Sequence, residues 1–382
     1  MNGRKRKKEG KLLKEVIKLS SKIGTELMSI LGKQYFTTEK INDIPALCQN
    51  NPKNVTILVI RETISPFIDR SDVPDESIWF RMPDGRNVIQ VPARKFKSKE
   101  KIFGIKLLRL LGMVDGGYRY NHLTSRQQFR NPTSILMGET IVNPVKGEDT
   151  LSVPARALYT DVYSLRDREY ITRKLTNNAL NEEGTMYDKD KGKTSSAFFQ
   201  TEEVNPGTFF PALITIKDPT PELLLHMILS LQQTSYGASS ATMGANFRNH
   251  IVGIVGSIIE PPVSSYLISY RFGQTVEKPT DVSTLAFEYV KKALIEIETE
   301  MLTDGASILT GDKVNDLVNY IKSLKLQGDE IKEAYEVARK DIDEYIDFSF
   351  ELKKNKRSGR KNNPNMPSSG SDKPGNIQTG TS

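Results

Sequence analysis

Basic side chains are concentrated between Pro92 and Arg109, at a spacing that could bind phosphate. The segment contains one acid, Glu100, and seven bases: Arg94, Lys95, Lys97, Lys99, Lys101, Lys106 and Arg109. The bases stand just before and inside a helix that we predict from Ser98, its N-cap, to Met113. A helix N-terminus adds free backbone N–H groups and a positive dipole, so the pattern indicates a phosphate site. A solvated basic helix face is the alternative interpretation.

A second candidate is a loop rich in glycine and hydroxyl side chains, from Thr234 to Ile254. Gly237 and Gly244 would let the backbone approach a ligand closely, and Tyr236 offers a ring on which a base could stack. Hydroxyls and further donors come from Ser235, Ser239, Ser240, Thr242, Arg248 and His250. The G-K-[ST] sequence of a Walker loop is missing, so the pattern favours an anion-binding concavity of backbone N–H groups. The alternative is a small-residue loop packed beneath a sheet.

A third candidate is the stretch from Glu182 to Pro211, which has a polar tip between apolar flanks. The tip is Asp188 to Lys193, and the apolar flanks contain Met186, Phe198 and Phe199. This pattern predicts a protruding hairpin that carries an apolar wedge. A surface hairpin docked on its own core is the alternative.

Catalytic patterns are weak in this sequence. The chain has three histidines, His122, His226 and His250, and no G-x-S-x-G or H-x-x-x-H motif. We interpret His226, in a leucine-rich helix, as a core residue. Asp69, Asp72 and Asp75 could bind a metal, but a polar turn explains them better. The single cysteine, Cys48, excludes an intrachain disulfide and a multi-cysteine zinc site.

The balance of charge favours a polyanionic partner. The 382 residues carry a net charge of +7, and residues 1–11 contain six bases and one acid. Residues 281–352 contain 17 acids and 8 bases, so this acidic block would face solvent or a protein rather than nucleic acid. No apolar stretch is long enough for a membrane span or a signal peptide, which predicts a cytoplasmic protein.

The elements that must position these residues suggest an α+β fold. A helix is predicted from Leu12 to Leu31, ending at Gly32, and a second from about Pro221 to Gln233. Asp84-Gly85 predicts a hairpin turn. Predicted strands are Val55–Ile60, Ser77–Met82, Asn87–Val91, Thr208–Lys217, His250–Ile259 and Ser264–Phe272. Their order fits a ferredoxin-like β-α-β-β-α-β core, the architecture of the RNA recognition motif, although that motif's aromatic strand signature is missing.

This order of elements also divides the chain. The predicted divisions are a basic arm (1–11), a helix and linker (12–49), the core (50–275) with insertions over about 116–207, a helical region (281–352) and a disordered tail (355–382). The insertions include a lid and the hairpin of residues 181–207.

Four segments of the core resemble a known family. They read F-F-P-A-L-I-T-I-K-D-P-T (Phe209 to Thr220), Y-G-A followed by N-H-I-V-G-I (Tyr236 to Ile254), N-E-E-G-T-M (Asn181 to Met186) and V-I-R-E-T (Val59 to Thr63). In this order they resemble the backbone subunit of type I-D CRISPR surveillance (Cascade) complexes. The resemblance covers residues 50–275 and leaves the helical C-terminal region and both tails unmatched.

The resemblance implies a non-catalytic, crRNA-binding member of the repeat-associated RNA-binding (RAMP) superfamily, with a modified RNA recognition fold. Copies would form a helical filament along one guide and present it to target DNA, and possibly target RNA, beside other type I-D Cascade subunits. The hairpin resembles the family's thumb, with Met186 as a wedge. The implied RNA contacts are Arg61, Arg94, Lys95, Lys97, Lys99, Lys101, Met186, Ser195, Tyr236, Gly237, Ser239, Thr242, Arg248, Asn249 and His250.

Some relatives carry paired cysteines before the middle insertion, suited to zinc. The matching stretch here, Asn131 to Gly138, has none, so we expect neither a structural zinc nor another cofactor. Two alternatives remain open. One is a backbone subunit that also cuts target RNA through the Asp69, Asp72 and Asp75 carboxylates, and the other is a generic nucleic-acid scaffold whose basic tails do the binding.

Overall fold

The core of the chain is a five-stranded antiparallel sheet, in a computed structural model that describes residues 20–69, 76–114, 116–144, 146, 150–178, 187–188, 193–194, 198–237, 246–275 and 285–361. The strand order is β14-β13-β1-β12-β6. The strands are β1 (Asn54–Thr63), β6 (Ala157–Tyr159), β12 (Phe209–Lys217), β13 (Phe247–Ser257) and β14 (Ser307–Thr310). None of the described helices is both long and apolar enough to cross a lipid bilayer.

The connections between these strands have the ferredoxin-like order. Helix α2 (Ala93–Leu110) lies in the crossover from β1 to β6, and helix α5 (Pro221–Gln233) lies in the crossover from β12 to β13. All of the pairings are antiparallel, with β1 between β12 and β13. This order, extended by β14 at one edge, confirms the predicted α+β fold with a ferredoxin-like core. The second core strand, β6, lies inside the stretch that we predicted to be insertions.

Helices cover both faces of the sheet. Successive side chains of a strand point to opposite faces, so Ile57 and Val59 belong to one buried cluster and Leu58 and Ile60 to another. The first cluster packs under α1 (Lys22–Leu31), α2, α5, α8 (Gly311–Ser323) and α9 (Asp329–Lys361), and the second under α6 (Ser265–Thr275) and α7 (Phe287–Glu300). We call these the first and second faces. A ligand therefore cannot lie across the middle of either face.

Smaller elements surround this core. A three-stranded sheet contains β2 (Trp79–Arg81), β3 (Asn87–Val91) and β7 (Val162–Tyr163), and it includes the hairpin predicted at Asp84-Gly85. The remaining short elements are α3 (Pro132–Met137), β4 (Glu139–Thr140), β5 (Ser152–Val153), α4 (Arg168–Ile171) and 3-10 turns at Lys33–Tyr35, Ala46–Cys48 and Arg126–Phe129. A long ribbon pairs β8 (Thr172–Asn178) with β11 (Phe198–Val204), and β9 (Tyr187–Asp188) pairs with β10 (Lys193–Thr194) beyond it.

Three predictions of local structure differ from what the structure shows. The segment predicted as a strand from Ser264 to Phe272 is helix α6, because Ile268 and Phe272, four residues apart, are both fully buried on one helix face. Helix α2 begins at Ala93 instead of Ser98, since Pro92 provides the N-cap position and Phe96 already packs into the core. Helix α9 continues to Lys361, into the segment predicted to be disordered. Residues 12–19 of the predicted first helix lie outside the described ranges.

Candidate nucleic-acid interface

Several elements meet where β1 ends and β12 and β13 begin, and we call this region the sheet end. The Thr63 amide donates to the Thr208 carbonyl (2.9 Å), and the Gly207 amide donates to the Thr63 carbonyl (2.7 Å). The Ile64 amide donates to the Asn246 carbonyl (2.9 Å). Residues 70–75 come after β1 in the sequence and residues 238–245 come before β13, and both segments lie outside the described ranges. The fold thus brings segments that are up to about two hundred residues apart in sequence to one place.

An aromatic cluster holds the sheet end together. The Phe247 ring lies 4.7 Å from that of Phe67, 5.1 Å from Phe96 and 6.0 Å from Phe210, centroid to centroid. These rings come from the segment after β1, from the first turn of α2 and from β12. Helix α2 therefore begins beside the first residue of β13.

The predicted hairpin is present, and its base is attached to the sheet end. Phe67 and Val204 exchange backbone hydrogen bonds of 3.1 and 2.8 Å, and Arg168 Nε donates to Glu202 Oε1 at 2.7 Å. β11 is buried from Thr201 to Val204, where it lies against the core, and its pairing with β8 continues beyond that part to Phe198 and Asn178. Met186 and Ser195 lie outside the described residues.

A buried ion pair lies behind the sheet end. Arg61 of β1 and Glu100 of α2 are 1% and 0% exposed, and Arg61 Nη1 lies 2.8 Å from Glu100 Oε1. The guanidinium carbon also lies 4.0 Å from the centre of the Phe96 ring. Burial alone would lower the pKa of Arg61, but the attraction of Glu100 raises it above its usual value. Arg61 therefore stays charged, and its contact with Glu100 ties β1 to α2.

Tyr236 and Asn249 belong to the same buried network. The Tyr236 hydroxyl donates to Glu100 Oε1 at 2.6 Å and accepts from Asn249 Nδ2 at 2.6 Å. Asn249 Oδ1 accepts from Arg61 Nη1 at 3.1 Å. Burial, followed by the nearby Glu100 charge, raises the pKa of Tyr236 well above its ordinary value, so the hydroxyl stays protonated.

This network corrects the predicted roles of Arg61 and Tyr236 as direct RNA contacts. Tyr236 is 4% exposed, and its ring packs edge-to-face against Phe96 and Phe247, so it offers no open face to a base. Arg61 is equally inaccessible. Both residues position the strand ends and the start of the loop at Gly237, which is itself half-buried.

Acids already neutralise two of the predicted phosphate-binding lysines. Lys95 is paired with the buried Asp69, and Lys101 Nζ lies 2.8 Å from Glu139 Oε1. Asp161 Oδ1 accepts the first amide of α2, from Ala93, at 2.8 Å. The predicted phosphate site at the start of this helix is therefore occupied in part by the protein's own groups, and the predicted start at Ser98 lies within the helix.

The remaining candidates are divided between the two faces of the sheet. Lys97 is half-buried on the first face, with its ammonium 5.7 Å from the centre of the Tyr159 ring, and burial followed by the charge of Lys101 lowers its pKa. Arg248 is exposed and points to the second face. His250 points to the same face, because it lies two residues further along the strand. His250 Nε2 lies 2.7 Å from Glu62 Oε2. Lys97, Tyr236 and Arg248 thus do not line a single groove.

Arg94, which is exposed in the first turn of α2, and Arg248 remain as accessible cations beside the sheet end, with Lys97 and Lys99 half-buried. Ser239 and Thr242 lie outside the described residues. Sequence reasoning missed the structural role of Glu100, although a signal was present. Phe96, Glu100 and Gly104 follow one another at intervals of four and are all buried on one face of α2.

Groups that could support catalysis are mostly engaged in the structure. His226 is a core residue, as predicted: its Nε2 lies 2.8 Å from Thr133 Oγ1, and burial lowers its pKa to about 3. Asp69 is buried and paired with Lys95, while Asp72 and Asp75 lie outside the described ranges. No three His, Cys, Asp or Glu side chains of the described residues are grouped so that they could hold a metal ion.

Comparison with known proteins identified one family and several similar folds. The family model described as Csc2 CRISPR matches residues 90–335. The crystal structure of Thermofilum pendens Csc2 is similar with a TM-score of 0.56 at 16% identity, covering 86% of this chain and 98% of that one. A chain of a CRISPR RNA-guided surveillance complex matches with a TM-score of 0.40 at 10% identity, covering 66% of this chain and 87% of that one. A chain of such a complex in a pre-nicking state matches with a TM-score of 0.44 at 11% identity, covering 68% of this chain and 92% of that one. Comparison with curated protein sequences gave no match.

Proposed function

Because the chain belongs to the Csc2 CRISPR family, we propose that it is a crRNA-binding backbone subunit of a type I-D Cascade complex and that it catalyses no reaction. Copies of it polymerise along one guide RNA in the cytoplasm and present the guide to target DNA, and possibly to target RNA. Other type I-D subunits complete the complex.

The observation that carries this proposal is the convergence at the sheet end. The start of α2 with Arg94, the start of β13 with Arg248 and the base of the hairpin all lie around one aromatic cluster. Because helices cover both faces of the sheet, the sheet end is where a polyanion can approach the core strands. The buried Arg61–Glu100 pair holds these strand ends in place without contacting the ligand.

The chemistry of this surface suits a guide of any sequence. Arginine and lysine side chains bind phosphate regardless of the base, and release of counterions makes such binding strongly dependent on salt. An extended ribbon at the edge of the site can reach an adjacent copy of the chain, and a head-to-tail contact that does not close produces a helical filament.

The non-catalytic assignment is supported by the state of Asp69. This carboxylate is 1% exposed and paired with Lys95, so it is not available to bind a metal ion as it stands. Cleavage of target RNA through Asp69 would need this pair to open, which disfavours a metal-binding role for Asp69 in that alternative.

The proposal is tested with the full-length chain and a labelled RNA of crRNA length. We expect several copies to bind each RNA and the affinity to fall steeply as the salt concentration rises. Arg94→Ala and Arg248→Ala should each weaken binding and reduce the slope of log K against log salt by about 0.7 to 1, the value for one lost phosphate contact. Arg119→Ala is the matched control, because Arg119 is exposed and lies far from the sheet end. Its neighbour Tyr118 accepts a hydrogen bond from Arg109, in the last turn of α2, which places Arg119 near the opposite end of that helix.

Two results would contradict the proposal. One is a protein that remains monomeric on long RNA with binding that is insensitive to salt. The other is complete loss of binding when residues 1–11 and 355–382 are removed, which would assign the activity to the tails of a generic scaffold. Regularly spaced cuts in complementary RNA, abolished by Asp69→Ala, would overturn the non-catalytic assignment.

A further inference from the structure

A carboxylate is held among the polar groups of the sheet end, on the second face of the sheet. Oε2 of Glu62, near the end of β1, lies 2.7 Å from Nε2 of His250 on β13, and the two side chains are 24% and 25% exposed. Because an ionised carboxylate can only accept hydrogen bonds, His250 is the donor in this contact. His250 therefore fixes the orientation of a carboxylate that solvent can still reach.

Arg248 lies next to Glu62 on the same face. The register of β1 with β13 places Glu62 directly opposite Arg248, and the Cβ atoms of such a pair are about 5 Å apart. Arg248 is exposed and forms no ion pair with any described residue, and Glu62 Oε1 accepts no hydrogen bond from the described part of the chain. An open carboxylate oxygen and an open guanidinium group are thus neighbours at the sheet end.

Aromatic rings from two other elements support this pair. The ring of Phe287, the first residue of α7, lies 4.4 Å from that of His250 and 6.1 Å from that of Phe209, centroid to centroid. Phe209 is the residue of β12 that lies opposite Glu62. The imidazole packs against a helix that is itself docked on the sheet, so the Glu62–His250 contact has a defined position.

A carboxylate at this position needs a reason, because the sheet end is where we propose that a polyanion binds. Like charges repel, so Glu62 opposes the approach of any phosphate to Arg248. The carboxylate favours binding only if the ligand donates a hydrogen bond to it. The backbone of DNA has acceptors alone, whereas each ribose of RNA has a 2′-hydroxyl that can donate. The bases also have donors, but a subunit that accepts a guide of any sequence cannot depend on them.

We propose that Glu62 recognises a ribose 2′-hydroxyl and that this contact makes the sheet end prefer RNA to DNA. The hydroxyl donates to the open Oε1 while Arg248 binds an adjacent phosphate. His250 is a positioning residue, since it holds the carboxylate through Oε2. The inference rests on the proposed function and adds a residue that determines which nucleic acid the site accepts.

The test compares three labelled strands of one sequence, made of RNA, 2′-fluoro RNA and DNA. They are about eight nucleotides long, within the usual range for one binding module. A 2′-fluoro group keeps the sugar pucker of RNA but cannot donate a hydrogen bond, so the ratio of the two Kd values isolates the donor. We expect the full-length chain to bind RNA about 10-fold more tightly than 2′-fluoro RNA, the lower limit for a hydrogen bond to a charged group, because the carboxylate is partly exposed.

Glu62→Ala should reduce this ratio to about 2 or less. Binding of 2′-fluoro RNA and DNA should be unchanged or tighter, because a repelling charge is removed, whereas a purely structural role of Glu62 would weaken all three strands together. His250→Ala should lower the ratio by a smaller factor, since the carboxylate remains but can turn. Glu260→Ala is the matched control: Glu260 pairs with Lys217 at 3.1 Å beyond the other end of β13, so this variant should keep the full ratio.

Three results would overturn the inference. Equal affinity of the unaltered chain for RNA and 2′-fluoro RNA is one, and a ratio that Glu62→Ala leaves unchanged is another. The third is cleavage of the RNA strand but not of the 2′-fluoro strand, lost in Glu62→Ala, because the pair would then be an acid–base catalyst that activates the hydroxyl. A chain that binds none of the strands would contradict the proposed function as well, whereas tight binding of all three alike would contradict only the role of Glu62.

Discussion

Replacing Glu100 by glutamine should destabilise the fold strongly, because it leaves the Arg61 charge buried without its counterion. Glu100 is fully buried and accepts hydrogen bonds from Arg61 Nη1 at 2.8 Å and from the Tyr236 hydroxyl at 2.6 Å. Glutamine preserves the shape of the side chain and an acceptor for Tyr236, so the change removes the negative charge with little change in packing.

The magnitude follows from the burial of both partners. Breaking a buried ion pair by removing one partner costs about 3–5 kcal/mol of the free energy of unfolding. At roughly 2 °C per kcal/mol for a chain of this size, the Tm should fall by about 6–10 °C. Glu288→Gln is the matched control: that side chain is 78% exposed, so the change should stay within about 0.5 kcal/mol.

Urea unfolding of Glu100→Gln, Arg61→Met and the double variant tests the reasoning. Removing both charges leaves no uncompensated ion in the core, so the double variant should lose less stability than the sum of the single variants, by about 0.5–3 kcal/mol. Strict additivity would show that the two charges do not interact. A Glu100→Gln variant as stable as Glu288→Gln would show that the pair is not buried in solution.

Three further predictions concern other buried positions. Burial raises the pKa of Glu298 from 4.5 to about 7, so ionisation of this carboxyl lowers the free energy of unfolding as the pH rises from 4.5 to 7. In denaturant titrations, Glu298→Gln should be more stable than the unaltered chain by up to about 3 kcal/mol at pH 8 and should show no such gain at pH 4. Burial lowers the pKa of His226 to about 3, so its contribution to the free energy of unfolding falls by up to about 1.4 kcal/mol per unit as the pH is lowered from 6.5 to 3. In denaturant titrations, His226→Gln should therefore lose less stability than the unaltered chain over this pH range. A Cβ at Gly104 would lie 2.6 Å from Thr133 Oγ1 and 2.9 Å from His226 Nε2, so Gly104→Ala should lower the free energy of unfolding by about 1–3 kcal/mol, measured by thermal unfolding. Gly116→Ala is the control and should be neutral, because a Cβ at Gly116 would have no other atom within 4 Å.

Strand and helix positions with strong local patterns were predictable from the sequence. The apolar run in β1, the Asp84-Gly85 turn and the Pro221 helix start each depend on nearby residues, and all three were confirmed. Helix α6 was not, because its two tyrosines, its single isoleucine and its phenylalanine favour a strand locally. Burial of Ile268 and Phe272 against the second face of the sheet decides the helix.

Strand β6 was missed for a related reason. It has three residues, too few for an alternating pattern to show, and it is a core strand only because β12 pairs with it at Ile214, Thr215 and Ile216. That pairing joins segments more than fifty residues apart.

At the candidate interface, the residue types were informative and their accessibility was not. The start of the basic segment, the two ends of the glycine-containing loop and the base of the hairpin do converge on the sheet end, but Arg61 and Tyr236 are buried behind it. No local pattern distinguishes an arginine that binds phosphate from one that binds a buried carboxylate. The difference depends on whether Glu100, on another element, is brought within 3 Å.

The sequence by itself determined the α+β class, the strands β1, β12 and β13, the excess of positive charge and the hairpin, since these depend on composition and on spacing along the chain. Only the tertiary structure decided which cations remain accessible and that both faces of the sheet are covered. These features depend on contacts between distant segments, and the energy of such contacts comes from burial and pairing that no single segment contains.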